Sequence, residues 1–151
     1  IEMSDDKNNK LRLIGKNDGD LKIISAYLQD SVLIVKDIVY LRENRTFIMI
    51  LNRFMWENFE KKVFAKNKRV RCAIKFEDVI KVKSKNIDQK NQTKPLEFLA
   101  LKSSLKHDNT SKIEIFFSGG GIITIISELI EVTLNDLGKS WNVKKFPEHK
   151  I

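Results

Sequence analysis

Arg53, Trp56 and Glu57 stand close together at the end of a strongly apolar run, a group of side chains suited to holding a partner. Arginine and tryptophan are frequent anchors of protein interfaces, the first through a planar charged fork, the second through a large rigid ring. The competing role is structural: Trp56 closes the core and Arg53 pairs with Glu57 or another acid. Gln29 and Asp30, at the end of a predicted helix, either add polar groups to such a site or simply terminate the helix.

A second chemistry is electrostatic. Between Lys61 and Lys112 there are 15 Lys or Arg against 5 Asp or Glu, an excess of ten, whereas the whole chain carries only +8. Lys61, Lys62, Lys66, Lys68, Arg69 and Arg71 form the densest stretch, and Lys81, Lys83 and Lys85 follow at a spacing of two. In a strand that spacing puts three ammonium groups in a row on one face, suited to phosphates of RNA or of an anionic surface. Phe64 is the only aromatic inside the densest stretch, so the stacking platform of a sequence-specific RNA reader is not legible there. Lys outnumbers Arg 22 to 6 and Asn and Ile are abundant, so AT-rich coding is a competing source of the charge.

Other chemistries lack their residues. Cys72 is the sole cysteine, which precludes an internal disulfide, and the two histidines, His107 and His149, fall in polar stretches without metal-ligand spacing. No metal, cofactor or catalytic residue is assigned. Cys72 alternates with aliphatic residues, as a buried inert thiol would. Gly119, Gly120 and Gly121 precede Ile122 and Ile123 rather than a Lys, a Ser or Thr and a helix, so they read as a hairpin turn and not a phosphate loop.

These residues need elements to position them. Asn17 or Asp18 caps a predicted helix with Leu21, Ile24 and Leu28 on one side. Leu33 to Leu41 and Thr46 to Phe54 read as a hairpin, the second strand apolar on both faces and therefore central. Val70, Cys72, Ile74 and Phe76 alternate with Arg71, Ala73 and Lys75, one face core and one wet. Strands are expected near Leu11 to Ile14, from Ile80 to Lys85, Leu96 to Lys102, Lys112 to Phe117 and Ile122 to Ile126. The spacing of Ile130, Leu134 and Leu137, with Ser127 before and Gly138 after, favours a closing helix over 128–137, the alternative being that the preceding strand continues to Leu134. The fold class is α+β: an antiparallel roll or barrel of about seven strands with an N-terminal and a C-terminal helix, in element order like a pleckstrin-homology domain. A single domain spans 11–141, with peripheral tails at 1–10 and 142–151. The opening residues are polar and acidic, unlike a secretory leader, and no apolar run has the length of a membrane span; the expected location is cytoplasmic.

Leu11 to Gly15, then Asp20, Leu21, Ile24, Ser25, Leu28, Gln29, Asp30 and Val32, then Leu51 to Phe54, Trp56 and Glu57 make up one half of a longer pattern. Phe76, Val79, Asn86 to Asp88, Leu96, Leu99, Gly119 to Gly121, Ile130, Leu134, Asp136 to Gly138 and Trp141 complete it. The pattern resembles an uncharacterised bacterial family, found mainly in alphaproteobacteria, with a Gly expected where Asn86 stands. The resemblance implies one domain and carries no activity. Two functional expectations follow, ahead of an enzyme. The first is a non-enzymatic binding or adaptor domain that holds a protein or peptide through Gln29, Asp30, Arg53, Trp56 and Glu57. The second is electrostatic binding of RNA by the basic 61–85 region. Open sheet edges would also allow two copies to pair as a homodimer.

Overall fold

The computed structural model describes residues 1–3, 10–55, 68–138 and 141–142. The one α-helix among the described residues, α1 (Asp18–Leu28), starts where the sequence offers a cap. Asn17 Oδ1 accepts the Asp20 N–H at 2.8 Å, and Asp20 Oδ2 accepts the Lys16 N–H at 2.9 Å, so two otherwise orphaned donors are satisfied reciprocally. That second bond is the main reason the Asp20 carboxyl lies below the usual carboxylate range. Leu21, Ile24 and Leu28 are the buried side of α1.

The other described residues form strands, short helical turns and loops. The strands are β1 (Glu2–Met3), β2 (Arg12–Gly15), β3 (Val32–Ile34), β4 (Ile38–Leu41), β5 (Thr46–Phe54), β6 (Lys68–Phe76), β7 (Val79–Lys85), β8 (Pro95–Leu105), β9 (Ser111–Phe117), β10 (Ile122–Ser127), β11 (Val132–Asp136) and β12 (Trp141–Asn142). Their pairing is antiparallel throughout, in the order β1-β2-β11-β6-β5-β3-β8-β9-β10-β7, with β4 on β5 and β12 on β6. This is an open antiparallel sheet with more strands than the expected seven, and the likeness to a pleckstrin-homology roll does not extend to its architecture. A short helical turn at Val35–Asp37 breaks the first strand of the expected hairpin into β3 and β4.

The closing helix expected over 128–137 is a strand. Val132, Leu134 and Asp136 are buried and alternate with half-buried Thr133 and Asn135, while Leu137, which helical spacing would place in the core, is 48% exposed. Two apolar periods overlap in this segment. Pairing on both sides decides between them, because β11 lies between β2 and β6 and fills a gap that no helix could bridge with backbone hydrogen bonds. Part of the expected N-terminal tail also pairs, with Glu2 opposite Ile14.

The inner faces meet in one core where Phe47 lies 5.9 Å from Phe76, ring centre to centre, and Phe98 lies edge-on to Phe117 at 6.5 Å. The alternation read from Val70 to Phe76 holds, with Val70, Cys72, Ile74 and Phe76 all buried. The chain crosses between sheet regions twice at one corner, where Glu77 N–H donates to Glu131 O and Glu128 N–H to Asp78 O. The glycine run is the β9–β10 turn, with Gly119 and Gly120 at φ of 80° and 84°, where a Cβ would be strained. Asn86, where the family resemblance expects Gly, has φ of 59°, a left-handed conformation that Asn tolerates better than most side chains.

Candidate functional site

Arg53 lies inside the molecule. It is fully buried, and its Nε and Nη2 donate to Asp136 Oδ1 and Oδ2 at 2.9 Å each, a bidentate pair linking β5 to β11. Asp136 Oδ2 also accepts the Leu11 N–H at 2.9 Å, and Asp136 N–H donates to Leu11 O, which ties in the chain ahead of β2. Arg53 Nη1 donates to Phe54 O, and the Tyr27 ring of α1 lies 5.9 Å from the guanidinium carbon. The arrangement joins three strand regions and a helix; it is the structural pairing weighed against the interface role, with Asp136 as the acid. Gln29 caps the C-terminus of α1, and Asp30 follows with φ of 63°. Trp56 and Glu57 lie outside the described residues.

The densest basic stretch divides. Lys61, Lys62 and Lys66 lie outside the described residues, and Lys68 opens β6. Arg69 is buried with its guanidinium 3.8 Å from the centre of the Phe54 ring and Nη1 donating to Asn52 O. Burial lowers its pKa, while the carboxylates of Asp30 and Glu97 act the other way. Arg71 reaches Asp37 at 3.4 Å. Lys81, Lys83 and Lys85 stand elsewhere, on the outer face of β7, with β5, β3, β8, β9 and β10 between β6 and β7 in the strand order.

What the sequence does not show is the company these lysines keep. Directly opposed residues of an antiparallel pair point to the same face, so the register lays out a grid across β7, β10, β9 and β8. One row runs Lys81, Ile126, Lys112, Ser104; the next Lys83, Thr124, Glu114, Lys102; the third Lys85, Ile122, Phe116, Ala100. Burial agrees, since Ile113, Ile115, Phe117, Ile123 and Ile125 on the opposite face are all in the core. Five lysines and one glutamate therefore share one wet face, and Lys102 Nζ lies 5.4 Å from the centre of the Phe116 ring. The ion pairs of other described cations lie elsewhere: Lys22 with Asp18, Arg45 with Glu128, Arg71 with Asp37 and Lys75 with Glu77. Sequence reasoning missed Lys102 and Lys112. The outward setting of Lys112 is legible from the inward Ile113, Ile115 and Phe117, but its place beside the β7 lysines depends on long-range register.

Residues 11–149 match the model of a family described as "Protein of unknown function (DUF2948)". The chain belongs to that family. No match is found among curated proteins or among solved structures. Membership accounts for the extent of the resemblance, and the family's description assigns no activity, so the residues must carry the functional argument. Cys72 is buried beside the Arg53–Asp136 pair, and burial pushes its thiol up to about 12, the wrong direction for a nucleophile. Among the described residues no three metal-ligating side chains converge, and no helix is long and apolar enough to cross a membrane.

Proposed function

We propose that this chain is a non-enzymatic binding domain whose β7–β10–β9–β8 face holds single-stranded RNA by its phosphates. The observation that carries the reading is the register that brings Lys81, Lys83, Lys85, Lys102 and Lys112, from three separate strands, onto one face with Glu114 as its acid. A sheet holds such a row rigidly, so a flexible polyanion supplies the adaptation, and half-buried Phe116 beside Lys102 offers a base a ring edge. Single-strand binding has a salt slope of about −0.7 per phosphate contact, so five contacts predict a fall of about 10²-fold in affinity between 50 and 200 mM salt. Fluorescence anisotropy of a labelled oligonucleotide at those two salts tests this. The Lys83→Glu, Lys112→Glu double variant is expected to flatten the slope and weaken binding. Absence of binding at 50 mM, or an unchanged slope in the variant, overturns the reading.

A second reading, a protein or peptide partner near Gln29 and Asp30, draws on the C-terminal end of α1. There Ser31 Oγ and Arg69 Nε are buried without a hydrogen-bond partner among the described residues, and Asp30 is close enough to act on Arg69. It predicts that Asp30→Ala reduces capture of a partner while leaving the RNA salt slope untouched.

A further inference from the structure

On the face of β7 opposite the lysine row, a cleft of about 290 Å³ opens between β4 and β7. Among the described residues each of these strands pairs on one side only, β4 with β5 and β7 with β10. They are drawn together at one end, where Val79 N–H donates to Arg45 O at 2.9 Å and the Tyr40 hydroxyl reaches Ile80 O at 3.4 Å. At the other end the 86–94 segment stands beside them. It is held by Lys36 N–H to Gln92 O at 2.8 Å and Val35 N–H to Lys94 O at 3.3 Å. Phe47, Val82 and Ile123 are among its apolar lining, Tyr40, Ser84, Gln89 and Gln92 supply its polar groups, and no charged side chain lines it.

An uncharged lining of this kind suits a neutral planar ring with donor and acceptor edges and disfavours a phosphate or a carboxylate. Carboxamides present a donor and an acceptor side by side, which is why Asn and Gln pair with base edges. Gln89 Nε2 donates to Ser84 Oγ at 2.8 Å, and Gln92 Nε2 donates to the Gln89 backbone oxygen. Each amide nitrogen has two hydrogens, so one hydrogen and the carbonyl oxygen of each remain to read a base. A volume of about 290 Å³ has room for one ring system.

β7 joins the cleft to the cationic face. Its residues alternate, Val82 and Ser84 lining the cleft while Lys81, Lys83 and Lys85 face the other way. β7 ends the strand order, so only this one strand lies between the cleft and the cationic face. We propose that one nucleobase of a strand lying on the lysine row turns around the β7 edge into this cleft, where Gln89 and Gln92 read its edge. This inference rests on the RNA reading of the neighbouring face.

The test is anisotropy of four labelled homopolymeric RNA oligonucleotides at 50 mM salt, with the full chain and with its Gln89→Ala, Gln92→Ala variant, together with competition by the four nucleoside monophosphates. Both glutamines are exposed, so the variant is expected to retain the fold. The expected result is a preference of about tenfold for one base. In the variant that preference should flatten to within about twofold at an unchanged salt slope, with weak competition by the monophosphates. Equal affinity for all four oligonucleotides, or a preference the variant keeps, overturns the cleft while leaving the RNA reading intact. A monophosphate that competes as strongly as the matching oligonucleotide overturns the strand as the source of the base. Failure of every oligonucleotide to bind overturns the RNA reading and the cleft assignment with it.

Discussion

Arg53 and Lys83 are both cations on strands of one sheet, and their surroundings are opposite. Arg53, on β5, is fully buried, with two bonds to Asp136 and a third to Phe54 O. Lys83, on β7, is exposed and lies across from Thr124 in a row that continues to Glu114 and Lys102. A buried guanidinium is tolerated only where its partners are fixed, and the bidentate Arg53–Asp136 pair ties β5 to β11 in that way. An exposed lysine row contributes little to folding and leaves its field available to a partner. The two regions therefore separate scaffold from proposed interface, and substitutions in each should move different observables.

The largest effect is expected at the buried pair. Asp136→Ala leaves the Arg53 guanidinium without its bidentate partner and frees the Leu11 N–H, and removal of one member of such a pair costs about 3–5 kcal/mol. Urea denaturation should show that loss. Arg53→Met is expected to cost a similar amount by stranding the carboxylate. In both variants the folded fraction should retain the wild-type RNA salt slope, since neither residue lies on the β7–β10–β9–β8 face.

The Lys83→Glu, Lys112→Glu variant should do the reverse. Its unfolding free energy is expected to stay within about 1 kcal/mol of the parent, Lys83 being exposed and Lys112 half-buried. Its RNA affinity at 50 mM salt should fall about tenfold or more, because the two changes remove two cations and add two like charges. A large stability loss here, or an RNA defect in Asp136→Ala, would mean that the two regions are not separate.

Most of what the sequence shows of this fold is local. The Asn17 cap, the alternation from Val70 to Phe76, the Gly119–Gly121 turn and the β7 lysine spacing are all set within a few residues, and each is present in the structure. What stays hidden depends on distant partners. Arg53 and Asp136 are 83 residues apart, and no spacing rule joins them. Segment 128–137 satisfies a helical period through Ile130, Leu134 and Leu137 and a strand period through Val132, Leu134 and Asp136. Only the presence of β2 and β6 on either side favours the second. The site is legible to the same extent: β7 shows its three lysines, while Lys102 and Lys112 join them through a register that local pattern does not encode.

Cys72 reports on the scaffold without disturbing it. Burial pushes its thiol up to about 12 from an ordinary value of 9.0. Folding therefore retains a proton that the unfolded chain releases, and this group's contribution is complete below about pH 9 and is lost as pH rises toward 12. Native protein at pH 8 should resist a thiol reagent and react at the rate of opening. The same experiment on Asp136→Ala should give much faster labelling, and on Lys83→Glu, Lys112→Glu an unchanged rate.

The smallest expected effect lies where β7 ends. Asn86 has φ of 59°, and its Nδ2 donates to Gly120 O at 3.2 Å across to the β9–β10 turn. Asn86→Gly relieves the cost of a side chain in the left-handed region and removes that exposed hydrogen bond, while it gives the unfolded chain more freedom. These contributions oppose one another, so the net change should stay within about 0.5 kcal/mol by denaturation. Asn86→Val keeps a Cβ, adds a branch and loses the hydrogen bond, so it should cost about 1–2 kcal/mol. Both variants alter the corner between the lysine row and the β4–β7 cleft without changing a charge, so the RNA salt slope should be the parent's in each. If Asn86→Gly keeps that slope but loses the preference among bases, the corner positions the base as well as ending the strand. If it keeps both, Asn86 is a turn residue, and the work of reading falls to Gln89 and Gln92.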